Sequence, residues 1–187
     1  MRLFVALEIP SGVRENLAGL IERLRAVSPR TRWVREENLH VTLKFIGGVS
    51  ETKLGAIRGA LAGVRSDQPV TLEFRGLGFF PNEKHPLVFW AGIDASPNLK
   101  TLAAAIEQTM EQFGIPREQR TFSPHLTLAR FEPPRLTERL RAAIQESASR
   151  EFGSLRTSQF HLIESKLKPS GAEYTTLESF PFAAAEA

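Results

Sequence analysis

The tetrapeptide His40-Val41-Thr42-Leu43 returns as His125-Leu126-Thr127-Leu128 in a chain that holds only four histidines. The surroundings of the two copies also correspond. Before His40 lies an apolar run, Leu3 to Ile9, closed by Pro10-Ser11-Gly12. Val13, Leu17, Leu20, Ile21, Leu24 and Val27 then recur at helical spacing. Before His125 lies a second apolar run, Leu87 to Ile93. It is followed by Ser96-Pro97 and by Leu99, Leu102, Ala103, Ile106, Met110 and Phe113 at the same spacing. Apolar residues three and four apart share one helix face, while a short apolar run bounded by Pro and Gly reads as a strand buried on both sides. Both halves thus have the order strand, helix, His-x-Thr strand, helix, the mark of an internal duplication.

The remaining segments complete this plan. Ser11 suits an N-cap, and Ser28-Pro29 ends the first helix. A second helix runs through Leu54, Ile57, Leu61 and Val64, where Gly55, Gly59 and Gly63 are expected to allow close approach to a sheet. Val70 to Phe80, a turn at Pro81 to Pro86, and Leu87 to Ile93 form a hairpin that joins the halves. Pro133-Pro134 leads into a helix through Leu136, Leu140, Ile144 and Ala148, and two strands close the chain, Leu155 to Leu167 and Tyr174 to Phe182. The expected fold is α+β, one domain over residues 1–187, with residues 183–187 the stretch expected to be disordered.

Composition narrows the function. Hydrophobic residues at 42% and charged residues at 24% suit a globular core. The net charge of +3 and pI near 9.6 fit an anionic small ligand or a nucleic-acid end, and fall short of a long duplex-binding surface. The absence of cysteine excludes a disulfide framework, a thiolate nucleophile and a thiolate zinc site. The opening apolar run is interrupted by Glu8 too soon for a signal peptide, and no run approaches a membrane span, so a soluble cytoplasmic protein is expected.

On a strand, residues two apart point to one face, so His40 projects with Thr42 and His125 with Thr127. Packed about a pseudo-twofold, the two strands would gather two imidazoles and two hydroxyls around one point. Imidazole titrates near pH 6.5, so one ring can be neutral while the other is protonated. In-line displacement at phosphorus needs that asymmetry: one histidine takes a proton from the attacking oxygen, the other gives one to the leaving oxygen, and the threonines hold the equatorial oxygens. Neither metal nor other cofactor is called for. Glu36, Glu37 and Glu132 are the nearby carboxylates and have no ligand-like spacing. His85 sits in a turn and reads as solvated, and His161 reads as packed or at a strand edge. Lys44 shares the parity of His40 and could face a phosphate or solvent. Arg130 has the opposite parity from His125, and only a bulge or strand end would turn it back.

These segments resemble the two-histidine phosphoesterase superfamily, and within it the RNA 2′,3′-cyclic phosphodiesterases, historically called 2′-5′ RNA ligases. Arg32-Trp33-Val34 with Glu37 to Gly47 is similar to the first family motif, with Ile46 where Leu is more usual. Phe122-Ser123-Pro124-His125 through Arg130 is similar to the second. Phe79-Phe80-Pro81, Glu164-Ser165, Gly171 and Tyr174 are also family-like. The resemblance implies a bilobal pseudo-twofold fold, with two antiparallel sheets lining a central cleft and helices outside. It implies metal-independent hydrolysis of a ribonucleoside 2′,3′-cyclic phosphate to the 2′-phosphate by a monomer acting on RNA or nucleotide ends, away from membranes. His40 would protonate O3′ and His125 activate water, though a pseudo-symmetric site permits the reverse. Thr42, Thr127 and Arg130 would contact the phosphate, and an aromatic side chain the base.

Two other readings stay open. The same phosphorus chemistry would serve another small cyclic phosphate or a 2′-5′ linkage. A non-catalytic RNA-end binding module would instead show a basic stripe and steep salt dependence.

Overall fold

The computed structural model describes residues 1–148 and 150–182, so the stretch 183–187 expected to be disordered lies outside the described residues. In chain order the elements are β1 (Arg2–Glu8), α1 (Ser11–Val27), β2 (Arg32–Trp33), β3 (His40–Gly48), α2 (Leu54–Leu61), β4 (Val70–Asn82), β5 (His85–Ala95), α3 (Asn98–Glu111), β6 (His125–Arg130), α4 (Glu138–Ser147), β7 (Glu151–Thr157), β8 (Gln159–Lys168) and β9 (Gly171–Pro181). They form a mixed α+β structure with two antiparallel sheets, ordered β3-β1-β8-β9 and β2-β6-β5-β4-β7.

The duplication is visible in this order. Each His-x-Thr strand pairs with the first strand of its own half, β3 with β1 and β6 with β5. The other neighbour of each first strand comes from the opposite half, β8 beside β1 and β4 beside β5. The two sheets are therefore built from strands of both halves. β1 shows why an unbroken apolar run marks an interior strand: Leu3, Val5 and Leu7 join the main core while Phe4 and Ala6 are buried on the other face with Ile163. The main core also takes Leu17, Leu20 and Leu24 of α1 and Leu102, Ile106 and Met110 of α3, the buried stripes predicted from helical spacing.

Several local expectations are corrected. Ser11 is the first helical residue, not the cap. Pro10 holds the extended cap conformation, and its carbonyl accepts the Arg14 N–H at 3.0 Å. Gly55 and Gly59 of α2 face solvent, and a Cβ at either would meet no atom within 4 Å, so they serve no close approach to a sheet. The expected strand from Leu155 to Leu167 is two strands, β7 in one sheet and β8 in the other. The chain crosses between sheets at Ser158, whose carbonyl accepts the Phe182 N–H at 2.7 Å. α4 begins at Glu138, later than the Pro133-Pro134 signal suggests, because Thr137 caps it: its hydroxyl accepts the Leu140 N–H at 3.1 Å.

One polar tie links the first His-x-Thr strand to a helix of the second half. Lys44 is buried and its ammonium lies 2.5 Å from the Glu107 carboxylate of α3, while also donating to the Pro116 carbonyl at 2.8 Å. Removing one member of such a pair strands the other in low dielectric. Lys44→Met is expected to lower unfolding stability in urea by about 3 kcal/mol, and adding Glu107→Leu to restore much of that loss.

Candidate active site

The two motif strands approach each other across the join between the sheets. His40 opens β3 and His125 opens β6, and both rings are held in the same way. The His40 Nδ1–H donates to the Asn38 carbonyl at 2.6 Å, and the His125 Nδ1–H donates to the Ser123 carbonyl at 2.8 Å. A carbonyl can only accept, so each neutral ring carries its proton on Nδ1 and leaves a lone pair on Nε2. In the first motif, His40 Nε2 lies 2.9 Å from the Thr42 hydroxyl. Each ring also leans on an aromatic neighbour with centroids 4.8 Å apart, His40 on Phe4 and His125 on Phe80. Tyr174 of β9 meets His40 edge-on at 5.3 Å.

The strands are not regular, and the irregularity decides what else faces the cleft. Between β1 and β3, Val5 pairs with Lys44 and Ala6 with Thr42, so Leu43 has no opposite residue. Between β5 and β6, Phe89 pairs with Ala129 and Trp90 with Thr127, so Leu128 has none. A bulge of one residue reverses the side-chain parity beyond it. The burial patterns agree: His40, Thr42 and Phe45 lie off the core face while Val41, Leu43 and Lys44 are buried, and His125, Thr127 and Arg130 repeat that pattern over Leu126, Leu128 and Ala129.

Arg130 thus joins His125 and Thr127 on the cleft face, turned there by the bulge at the end of β6. Its charge is felt at His125 and, across the join, at Tyr174. Lys44, by contrast, is turned inward to Glu107 and does not face the cleft. Phe45 takes the place in the first motif that Arg130 takes in the second, and is 58% exposed. Sequence periodicity missed Phe45, because strict alternation assigns it to the core; the signal lies in the matching of His40 plus five residues with His125 plus five. His85 is exposed at the hairpin, and His161 is a packed histidine bonded to the Ser179 hydroxyl at 2.8 Å. Neither belongs to the pair.

The two halves differ in their openness. A cavity of about 330 Å³ adjoins His125, lined by Ser123, Pro124, Phe80, Trp90 and Arg75 among others. His40 has aromatic rings of Phe4 and Tyr174 against it instead. Burial pushes the His40 imidazole below its ordinary value, with the hydrogen bond to Asn38 working against that shift. Burial lowers His125 as well, against the pull of the Ser123 carbonyl, and the positive charge of Arg130 lowers it further. Both rings therefore favour the neutral form, in which each is a base at Nε2. Among the described residues, no group of three or more His, Cys, Asp or Glu is placed to hold a metal ion.

These shifts have a sign that NMR can read. Both imidazole midpoints are expected below 6.5, and Arg130→Ala should move that of His125 upward. Since an unfolded histidine binds its proton more readily, the two rings favour the folded state above pH 6.5 and that contribution is lost as pH falls through their folded midpoints. A midpoint at or above 6.5 for both rings would contradict the burial described.

Comparison with known proteins agrees with this geometry. The family described as the 2'-5' RNA ligase superfamily matches residues 13–168. A curated relative from Methanothermobacter thermautotrophicus, named RNA 2',3'-cyclic phosphodiesterase, is 33% identical over 181 residues, covering 96% of this chain and 98% of the relative. The crystal structure of TT0787 of Thermus thermophilus superposes with a TM-score of 0.77 at 32% identity over 100% of both chains. That of E. coli LigT complexed with 3'-AMP gives 0.76 at 28% identity, covering 98% of each chain. With most of its length inside the matched family and its fold shared over whole chains, the protein belongs to the 2'-5' RNA ligase superfamily of two-histidine phosphoesterases.

Proposed function

We propose that this chain is an RNA 2′,3′-cyclic phosphodiesterase, which hydrolyses a terminal ribonucleoside 2′,3′-cyclic phosphate to the 2′-phosphate without a metal. The observation that carries the reading is the matched tethering of the two rings: each Nδ1–H is tied to a carbonyl two residues back, so each ring keeps the Nε2 lone pair for acid/base work, that of His40 beside the Thr42 hydroxyl. The curated relative's name gives the same activity, and the solved relative with 3'-AMP supports a nucleotide in the cleft.

In this mechanism His125 Nε2 takes a proton from water as the water oxygen bonds to phosphorus. The P–O3′ bond breaks, and His40, protonated at Nε2, gives its proton to O3′. The products are a 2′-phosphomonoester and a 3′-hydroxyl, and exchange with solvent returns the protons. The cavity beside His125 supports its role as the base, because water reaches that side. His40, neutral in the free site because it is buried, takes up its proton when the anionic phosphate binds beside it, and its acceptor O3′ stays on the bound product. Thr42, Thr127 and Arg130 hold the phosphate oxygens, and the base stacks on Phe45. Residues 1–187 act as one bilobal domain and as a monomer in the cytoplasm; no helix among the described residues is long and apolar enough to cross a membrane.

Phosphorus NMR of an RNA oligonucleotide ending in 2′,3′-cyclic phosphate, with excess EDTA, tests the reading. The cyclic signal is expected to give way to a 2′-phosphomonoester, and His40→Ala and His125→Ala each to slow this by about 10² to 10⁴. Rates within a few-fold of wild type in either variant would overturn it. Phe45→Ala is expected to raise KM about tenfold with kcat little changed, the loss of one stacking contact.

A further inference from the structure

Two segments far apart in sequence meet behind His40. The turn Glu36–Asn38 precedes β3, and the tip of the β8–β9 hairpin reaches back to it. Asn38 is 9% exposed, and its two polar ends point to different partners. Its side-chain amide donates to the Ala172 carbonyl at 2.9 Å, while its own backbone carbonyl accepts the His40 Nδ1–H at 2.6 Å. The Asn38 N–H in turn donates to the Arg35 carbonyl at 2.9 Å, closing the turn.

Arg35 makes the second half of the clasp. Gly171 has φ +119°, which strains any residue but glycine, and a Cβ there would lie 3.0 Å from the Arg35 guanidinium, so an alanine would loosen the fit of the tip under Arg35. Tyr174, two residues beyond Ala172, is the ring set edge-on against His40. The counterpart in the other motif is different: the carbonyl that holds His125 belongs to Ser123, which is exposed and lines the cavity.

We propose that Asn38 is a positioning residue for His40: by fastening the β8–β9 tip to the Glu36–Asn38 turn, it fixes the carbonyl that keeps the His40 proton on Nδ1. The hairpin tip thereby governs the orientation and tautomer of His40 and leaves those of His125 alone. Asn38 touches neither water nor phosphate in this scheme. Its effect runs through one ring.

The proposal rests on the phosphodiesterase reading only for its rate measurement. The other measurement is the ring-nitrogen NMR spectrum of the full chain without substrate, with His40 and His125 assigned by His→Gln variants. In Asn38→Ala, kcat on cyclic-phosphate RNA is expected to fall by about 10², the scale of a displacement near 1 Å, with KM changed by no more than about twofold. The His40 signals should become a mixture of tautomers while those of His125 keep their shifts. Gly171→Ala loosens the same clasp from the hairpin side and should disturb the same His40 signals. A folded Asn38→Ala protein with unchanged His40 signals overturns the proposal, and so does equal disturbance of His125, which marks a general loss of packing. Where Asn38→Ala does not fold, an unchanged His40 spectrum in Gly171→Ala overturns it alone. Failure of the rate assay in wild type counts against the phosphodiesterase reading and leaves the nitrogen spectra to decide this one.

Discussion

Leu43 has no residue opposite it in β1 and Leu128 none in β5, and the contents of the cleft follow from that. In a regular strand Lys44 would lie beside Thr42 and Arg130 would point into a core made of Leu126, Leu128 and their neighbours. A guanidinium buried there without a partner would be prohibitively expensive to desolvate. The bulge removes the conflict on one side and creates a tie on the other. Arg130 turns to the face of His125 and Thr127, and Lys44 turns inward to a carboxylate and a carbonyl that satisfy it. A one-residue insertion thus gives the site a cation in β6, and another anchors β3 to α3.

The pseudo-symmetry is close in the backbone and broken in the side chains. The carbonyl tether, the aromatic neighbour and the bulge occur in both halves. Beyond the bulge one half offers a phenyl ring and the other a guanidinium, and behind the histidines one half has a clasped hairpin and the other an open cavity. A reaction with an entering water on one side of phosphorus and a retained leaving oxygen on the other requires such a difference. Two identical halves would bind the phosphate without telling its faces apart.

How much of this was legible in the sequence depends on the range of the interaction. The paired motifs, the strand and helix order and the buried stripes come from local periodicity, and the structure has them at Leu17, Leu20 and Leu24 or at Leu102 and Ile106 as read. The bulges are invisible to periodicity, since Leu-Lys and Leu-Ala carry no signal for a skipped pairing. The inward turn of Lys44 depends on Glu107, and the value of Asn38 depends on Ala172; both partners are distant in the chain. Ser158 was hidden for a similar reason, because two strands that belong to different sheets can follow each other with one residue between them. Gly55 and Gly59 misled in the other direction, their spacing suggesting a contact where there is solvent.

The exchange of strands between the sheets has a consequence for the origin and divisibility of the chain. From β1 to β4, the first half leaves only β1 and β3 in one sheet and lends β2 and β4 to the other, where β4 separates β5 from β7. β4 and β8 thus change places between the sheets, as segments do in a domain-swapped dimer, with the halves joined through the β4–β5 hairpin. A cut at the hairpin turn would yield two fragments, each with one His-x-Thr motif and an incomplete pair of sheets. Neither would be a smaller enzyme, and each would be the other's folding partner.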